Sequence, residues 1–207
     1  MNVAKTPLWV QKLFPRRLWR IPTTEKILYL TFDDGPIPVV TPWVLKTLAD
    51  FGARATFFCV GDNVRKHPDI YRSLLAAGHA VGNHTQHHLN GWKTPTKTYL
   101  DNVAQCAEAV GSRLFRPPYG RLRPGQAAQL RRDYEIVMWD VLSCDYDRSI
   151  SGQECLDNIL LNAAPGSIIV LHDSLKAEPN LRYALPRVLE FYGEKGYRFE
   201  RLPVGGA

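Results

Sequence analysis

The chain has 207 residues, 45% hydrophobic and 22% charged, with a formal net charge of +6. That length makes one domain, or at most two small ones, and buries a core large enough to fold without staples. The positive excess is moderate and spread along the chain, which argues against a nucleic-acid partner, and no stretch nears the roughly 20 apolar residues of a membrane helix.

Residues 1–25 read as a basic, aromatic arm, densest from Leu8 to Arg20. Pro7, Gln11, Lys12 and Pro15 interrupt it and no small-residue cleavage site follows, so it does not read as a secretory signal. The expectation is therefore a cytoplasmic location, or the cytoplasmic face of a membrane. The favoured reading of the arm is a segment packed on the domain. The sharper one is a peripheral membrane contact through residues 8–20, with Trp and Phe at the interface and Arg at head groups.

From residue 26 the pattern alternates short apolar strands with helices. Strands are expected at 26–33, 55–60, 79–82, 114–116, 134–139, 167–171 and 197–199. Helices are expected near 42–51, 63–77, 96–110, 124–132, 152–162 and 180–195, several stopped by Gly. This order argues an α/β fold, a largely parallel sheet covered by helices, closed as a barrel or partial barrel. Residues 26–203 read as one domain, with functional residues at the carboxyl ends of the strands. Cys59, Cys106, Cys144 and Cys155 contain no C-x-x-C pair, which excludes a zinc ribbon or thioredoxin motif; they read as free, buried thiols of a reducing compartment.

Four strand ends carry candidate chemistry. Asp33 and Asp34 end the first strand, before Gly35-Pro36. Adjacent strand residues point to opposite faces, so both reach one site only where the strand is ending. Two carboxylates this close need positive compensation from a metal, an Arg or a His. The run His84-Thr85-Gln86-His87-His88 follows the third strand. Two imidazoles and a carboxylate make a divalent-metal triad with open positions; His84 and His88 share a face if the segment turns helically, and His87 is a further candidate. Arg116-Pro117-Pro118-Tyr119-Gly120 is a rigid turn whose Arg could pair with a carboxylate. His172 ends the strand 167–171 and is placed to act as acid or base, with Asp140 or Asp145 to orient it. Together the set suits metal-assisted hydrolysis.

These motifs resemble, in order, those of the polysaccharide deacetylases with a NodB homology domain, carbohydrate esterase family 4. The likeness runs from about Lys26 to Leu202. It implies a distorted (β/α)7 barrel that removes N-acetyl groups from an amino-sugar polymer, peptidoglycan- or chitin-like. The alternatives are a cytosolic deacylase of a lipid-linked or soluble amino-sugar precursor, and a non-catalytic carbohydrate-binding relative. It implies Asp33 as the base and Arg116 as its partner, Asp34, His84 and His88 as metal ligands, and the Tyr119 N–H as oxyanion donor. It also makes His172 the general acid, tuned by Asp145, and leaves His87 outside the pattern. Pro117, Tyr146 and Val170 are expected on the substrate groove. Zinc suits the ligands best, and cobalt, nickel or iron fit the same set. Leu142 and Tyr146 depart from the family's fourth motif, at an Asp and a groove Trp, and Val170 stands where Leu often lines the acetyl pocket.

Overall fold

The computed structural model describes residues 4–203. Among these, eight strands form one sheet: β1 (Ile27–Asp33), β2 (Thr56–Cys59), β3 (Ala80–Asn83), β4 (Leu114–Phe115), β5 (Glu135–Ile136), β6 (Val141–Leu142), β7 (Ile168–His172) and β8 (Arg198–Phe199). Their order is β5-β4-β3-β2-β1-β7-β6, with β8 paired to β1, and every pairing is parallel. This is the expected α/β architecture, a curled parallel sheet of the distorted (β/α)7 kind.

Strand β1 shows how the sequence makes the barrel. Leu28, Leu30 and Phe32 join the core beneath the helices, while Tyr29 joins the cluster of Phe58, Leu114, Val137 and Ile168. Alternation by two therefore gives one face to the helices and the other to the interior. Each fully buried Leu or Phe contributes about 1.5–3 kcal/mol. The interior also holds the guanidinium of Arg116, fully buried and 4.1 Å from the Phe58 ring centroid.

The helices are α1 (Leu8–Leu13), α2 (Val40–Asp50), α3 (Gly61–Lys66), α4 (Pro68–Ala76), α5 (Thr96–Ala107), α6 (Pro124–Leu130), α7 (Gly152–Leu160) and α8 (Glu178–Glu194). The helix expected at 63–77 is two. Pro68 has no N–H to continue α3, and His67 before it is driven out of the helical region, to φ −131 and ψ 56. The strand expected at 134–139 is shortened to β5, and β6 begins beyond it at Val141, so a division separates the two.

The arm occupies the seam that this division leaves. The Leu18 N–H donates to the Ile136 carbonyl at 2.9 Å, and the Met138 N–H donates to the Leu18 carbonyl at 2.7 Å. Further along, Thr6 N–H donates to the Asp140 carbonyl and Leu142 N–H to that of Ala4. Trp19 is buried with Phe115, Ile136 and Met138. Lys5 reaches Asp140, 1% exposed, at 2.7 Å, and the Ser167 hydroxyl donates to the same carboxylate oxygen at 2.6 Å. Leu8, Trp9 and Leu13 of α1 face outward and are exposed. No helix among the described residues is long and apolar enough to cross a membrane.

Candidate active site

The carboxyl ends of β1, β3, β4 and β7 bring the candidates together. Asp33 lies opposite His172 in the β1–β7 register. Asp33 still belongs to the strand and points into the barrel, where its Oδ1 accepts from Arg116 Nη1 at 2.7 Å. Asp34 has left the strand, with φ 86, and this left-handed turn swings its side chain to the same side. The two acids therefore share a site through a break in alternation rather than along a continuing strand.

Asp34, His84 and His88 each offer a ligand atom, all within 4.8 Å of one another. Asp34 Oδ1 lies 3.2 Å from His88 Nε2 and 3.9 Å from His84 Nε2. That oxygen is buried and makes no well-angled hydrogen bond. His84 Nδ1 lies 2.8 Å from the Arg116 carbonyl, a contact that requires Nδ1 to carry the proton and leaves the Nε2 lone pair aimed at Asp34. Burial, aided by His88, lowers the His84 pKa to about 4 against the opposing pull of Asp33 and Asp34, so the ring is neutral at pH 7. Burial alone would raise the Asp34 pKa, but the His88 imidazole and the charge of His172 outweigh it and hold the acid well below its usual range. A buried carboxylate oxygen facing the Nε2 atoms of two imidazoles is the chemistry of a divalent-cation site.

The two His converge without a helix. Thr85 and His88 take left-handed conformations, φ 64 and φ 54, in a turn tied by Asn83 and Asn102. Asn102 Nδ2 lies 2.8 Å from His87 Nδ1 and holds that ring off the cluster.

His172 Nδ1 meets Asp145 Oδ1 at 2.7 Å, and Oδ2 of the same carboxylate accepts the His172 N–H. Burial would lower the His172 pKa, but Asp145 overrides it and raises the value to about 9, so the ring is an imidazolium at neutral pH. Asp140, the alternative orienting acid, is spent on the arm. Tyr119 stands at φ 60 with its ring 4.7 Å from that of His88. Tyr146 packs edge-on to His172, and Tyr146, Val170 and Leu142 line the pocket, whose volume is ≈ 520 Å³. Pro117 does not line it. That residue is buried, and its carbonyl accepts the Gly120 N–H that closes the Tyr119 turn.

Sequence reasoning missed Asp173. Its carboxyl is 1% exposed and accepts from the Gly35 N–H at 3.0 Å and from the Thr41 hydroxyl at 2.5 Å. Its own N–H donates to the Asp33 carbonyl at 3.1 Å. It thus fastens the Asp33–Gly35 turn to the end of β7, and burial raises its pKa to about 8. Its place after His172 was the one available signal.

Comparisons with known proteins agree with this geometry. The family model for polysaccharide deacetylases matches residues 20–139. A peptidoglycan-N-acetylglucosamine deacetylase of Bacillus cereus is 32% identical over 188 residues, covering 87% of this chain and 88% of the relative. A chitooligosaccharide deacetylase of Azorhizobium caulinodans is 35% identical over 162 residues, covering 74% and 77%. The crystal structure of the Bc1960 peptidoglycan N-acetylglucosamine deacetylase, in complex with 4-naphthalen-1-yl-N-oxidanyl-benzamide, superposes with a TM-score of 0.85 at 31% identity, covering 96% of this chain and 95% of that one. With its motifs gathered at one end of the curled sheet and its likeness spanning most of its length, this chain belongs to the polysaccharide deacetylase family.

Proposed function

We propose that the protein is a metal-dependent deacetylase of N-acetylated amino sugars, with a peptidoglycan-type glycan as substrate. The observation that carries this is the orphaned Asp34 oxygen facing His84 and His88, beside a second carboxylate, Asp33, that is committed to Arg116. Bacillus cereus and Azorhizobium caulinodans relatives named for N-acetylglucosamine and chitooligosaccharide substrates support the sugar class.

A divalent cation on Asp34, His84 and His88 would supply a Lewis acid for water and for the amide carbonyl. Zinc suits one carboxylate and two imidazoles with open positions, and cobalt, nickel or iron fit the same donors. Asp33 takes the proton of the attacking water. Arg116 fixes its orientation from inside the barrel, itself held by the Thr31 hydroxyl and the Met138 carbonyl. The Tyr119 N–H, presented by the left-handed turn, donates to the oxygen that gains charge as the carbonyl becomes tetrahedral. The His172 imidazolium gives its proton to the leaving amine, and Asp145 holds the ring for that transfer.

Asp33→Asn is expected to lower acetate release from N-acetylglucosamine oligomers by at least about a hundredfold, the usual scale for losing a general base. Turnover at the wild-type rate would remove Asp33 from this role. The exposed row Leu8, Trp9 and Leu13 beside Lys12 and Arg16 supports a separate contact of α1 with an anionic lipid surface. Sedimentation with anionic vesicles reads it, and a protein left wholly in the supernatant sinks it.

A further inference from the structure

The catalytic pocket shares a wall with a second trough. Tyr119 and Trp139 line both, and the second trough, ≈ 250 Å³, continues over Val10 and Phe14 of the arm, Arg17 and Trp92. We propose that this trough is a second sugar subsite, taking the next unit of a glycan seated in the catalytic pocket and favouring a unit that carries a carboxylate. The inference rests on the amino-sugar reading above.

Its aromatic floor suits a sugar. Trp92 is 58% exposed and Tyr119 60%, and such rings offer flat apolar faces to sugar C–H groups. The turn that carries Trp92 is nonetheless fixed. Arg123 Nη2 donates to the Trp92 carbonyl at 2.7 Å, and Gln126, fully buried, donates to the Gly91 carbonyl at 3.0 Å. A Cβ at Gly91 would stand 2.3 Å from the Arg121 carbonyl, so this turn and the chain after Tyr119 are in close backbone contact. A ring held out in solvent by a built support is a pre-organised platform.

The charge is one-sided. The Arg121 guanidinium lies 5.1 Å from the Trp92 ring centroid and that of Arg17 4.4 Å from Phe14. Among the described residues, neither has a carboxylate within ion-pairing distance. Burial and the nearby Arg131 both lower the Arg17 pKa. The carboxylates lining either cavity are Asp33 and Asp34, at the catalytic end. Arg17 in the trough and Arg121 on the adjoining catalytic pocket, each beside an aromatic ring, match a sugar with an anionic substituent near the shared wall.

The test compares the N-acetylglucosamine monosaccharide and hexamer, and oligomers of alternating N-acetylglucosamine and carboxylate-bearing N-acetylmuramic acid, on the zinc-loaded protein. Trp92→Ala is expected to cut the hexamer-to-monosaccharide ratio of kcat/KM about tenfold, and Trp92→Phe to restore most of it. The double variant Arg17→Gln, Arg121→Gln is expected to abolish any preference for the acidic oligomers. A ratio unchanged in Trp92→Ala overturns the subsite, and a preference unchanged in the double variant overturns its anionic occupant. Calorimetry on the Asp33→Asn protein separates the two readings. Hexamer binding that weakens in the added Trp92→Ala background, with no acetate released by the wild type, defeats the deacetylase reading and keeps the trough. Hexamer binding no tighter than monosaccharide binding defeats the trough.

Discussion

At the residue scale, the site divides four charges into two complementary pairs beside one cation position. Arg116 serves Asp33 and Asp145 serves His172, each at 2.7 Å. The second pair sets a pH dependence. His172 acts as the imidazolium, so activity is present below its pKa and lost as pH rises through about 9. Asp145→Asn removes the charge that raises this value from the ordinary 6.5. The basic limb of the kcat profile should then fall toward neutrality, with turnover at pH 8 reduced about thirtyfold by the smaller protonated fraction. A limb still near 9 in that variant would assign the raised value to another group. The roles of Asp34 and His84 could be anticipated from the residue types and their order. The left-handed Asp34, Thr85 and His88 that aim the ligands could not, because positive φ is uncommon in any non-glycine residue, even in Asp and His, which adopt it more often than most.

At the element scale, the arm is what the sequence described least well. Its basic and aromatic composition is legible, but its pairing partners lie more than a hundred residues away, at Val137 and Val141. For the same reason the strand at 134–139 reads as one apolar run, although the arm takes the backbone bonds of Ile136 and Met138 and the strand stops at Ile136, with an isolated bridge at Val137. The break at Pro68 was in principle readable from the proline alone. Asp140 is where the arm's attachment can be measured. It is almost wholly buried, and Lys5, with its side chain 37% exposed, brings the one cation within 4 Å of it among the described residues. Lys5→Met keeps the stem and removes the charge, leaving a buried carboxylate on hydroxyl and amide donors alone. Urea unfolding should show a loss of about 1–3 kcal/mol, and the added Asp140→Asn should recover most of it by removing the orphaned charge. A single variant as stable as the wild type would show that the arm is held by its backbone bonds and Trp19 rather than by this pair.

At the scale of the whole molecule, the parallel sheet, the helices over its outer face and the gathering of motifs at one end were all legible, because period-two alternation and strand–helix order are local properties of the chain. The same gathering couples the site to global stability. The three ligands come from the ends of β1 and β3, separated by the whole of α2 to α4, so they form one site only in the folded chain. A cation bound there stabilises the native state by mass action, by about 2.7 kcal/mol at a hundred times its Kd. For a chain of this size, that corresponds to a rise in Tm of about 5–10 °C, reversed by a chelator. His88→Gln removes a ligand and should abolish the rise. Asp33→Asn should keep it, since Asp33 is turned to Arg116 and is outside the ligand set. Thermal unfolding of the three proteins with zinc, cobalt or nickel added therefore separates ligand from base without measuring turnover. A rise that survives in His88→Gln, or one lost in Asp33→Asn, would redraw the division of labour between the two adjacent acids.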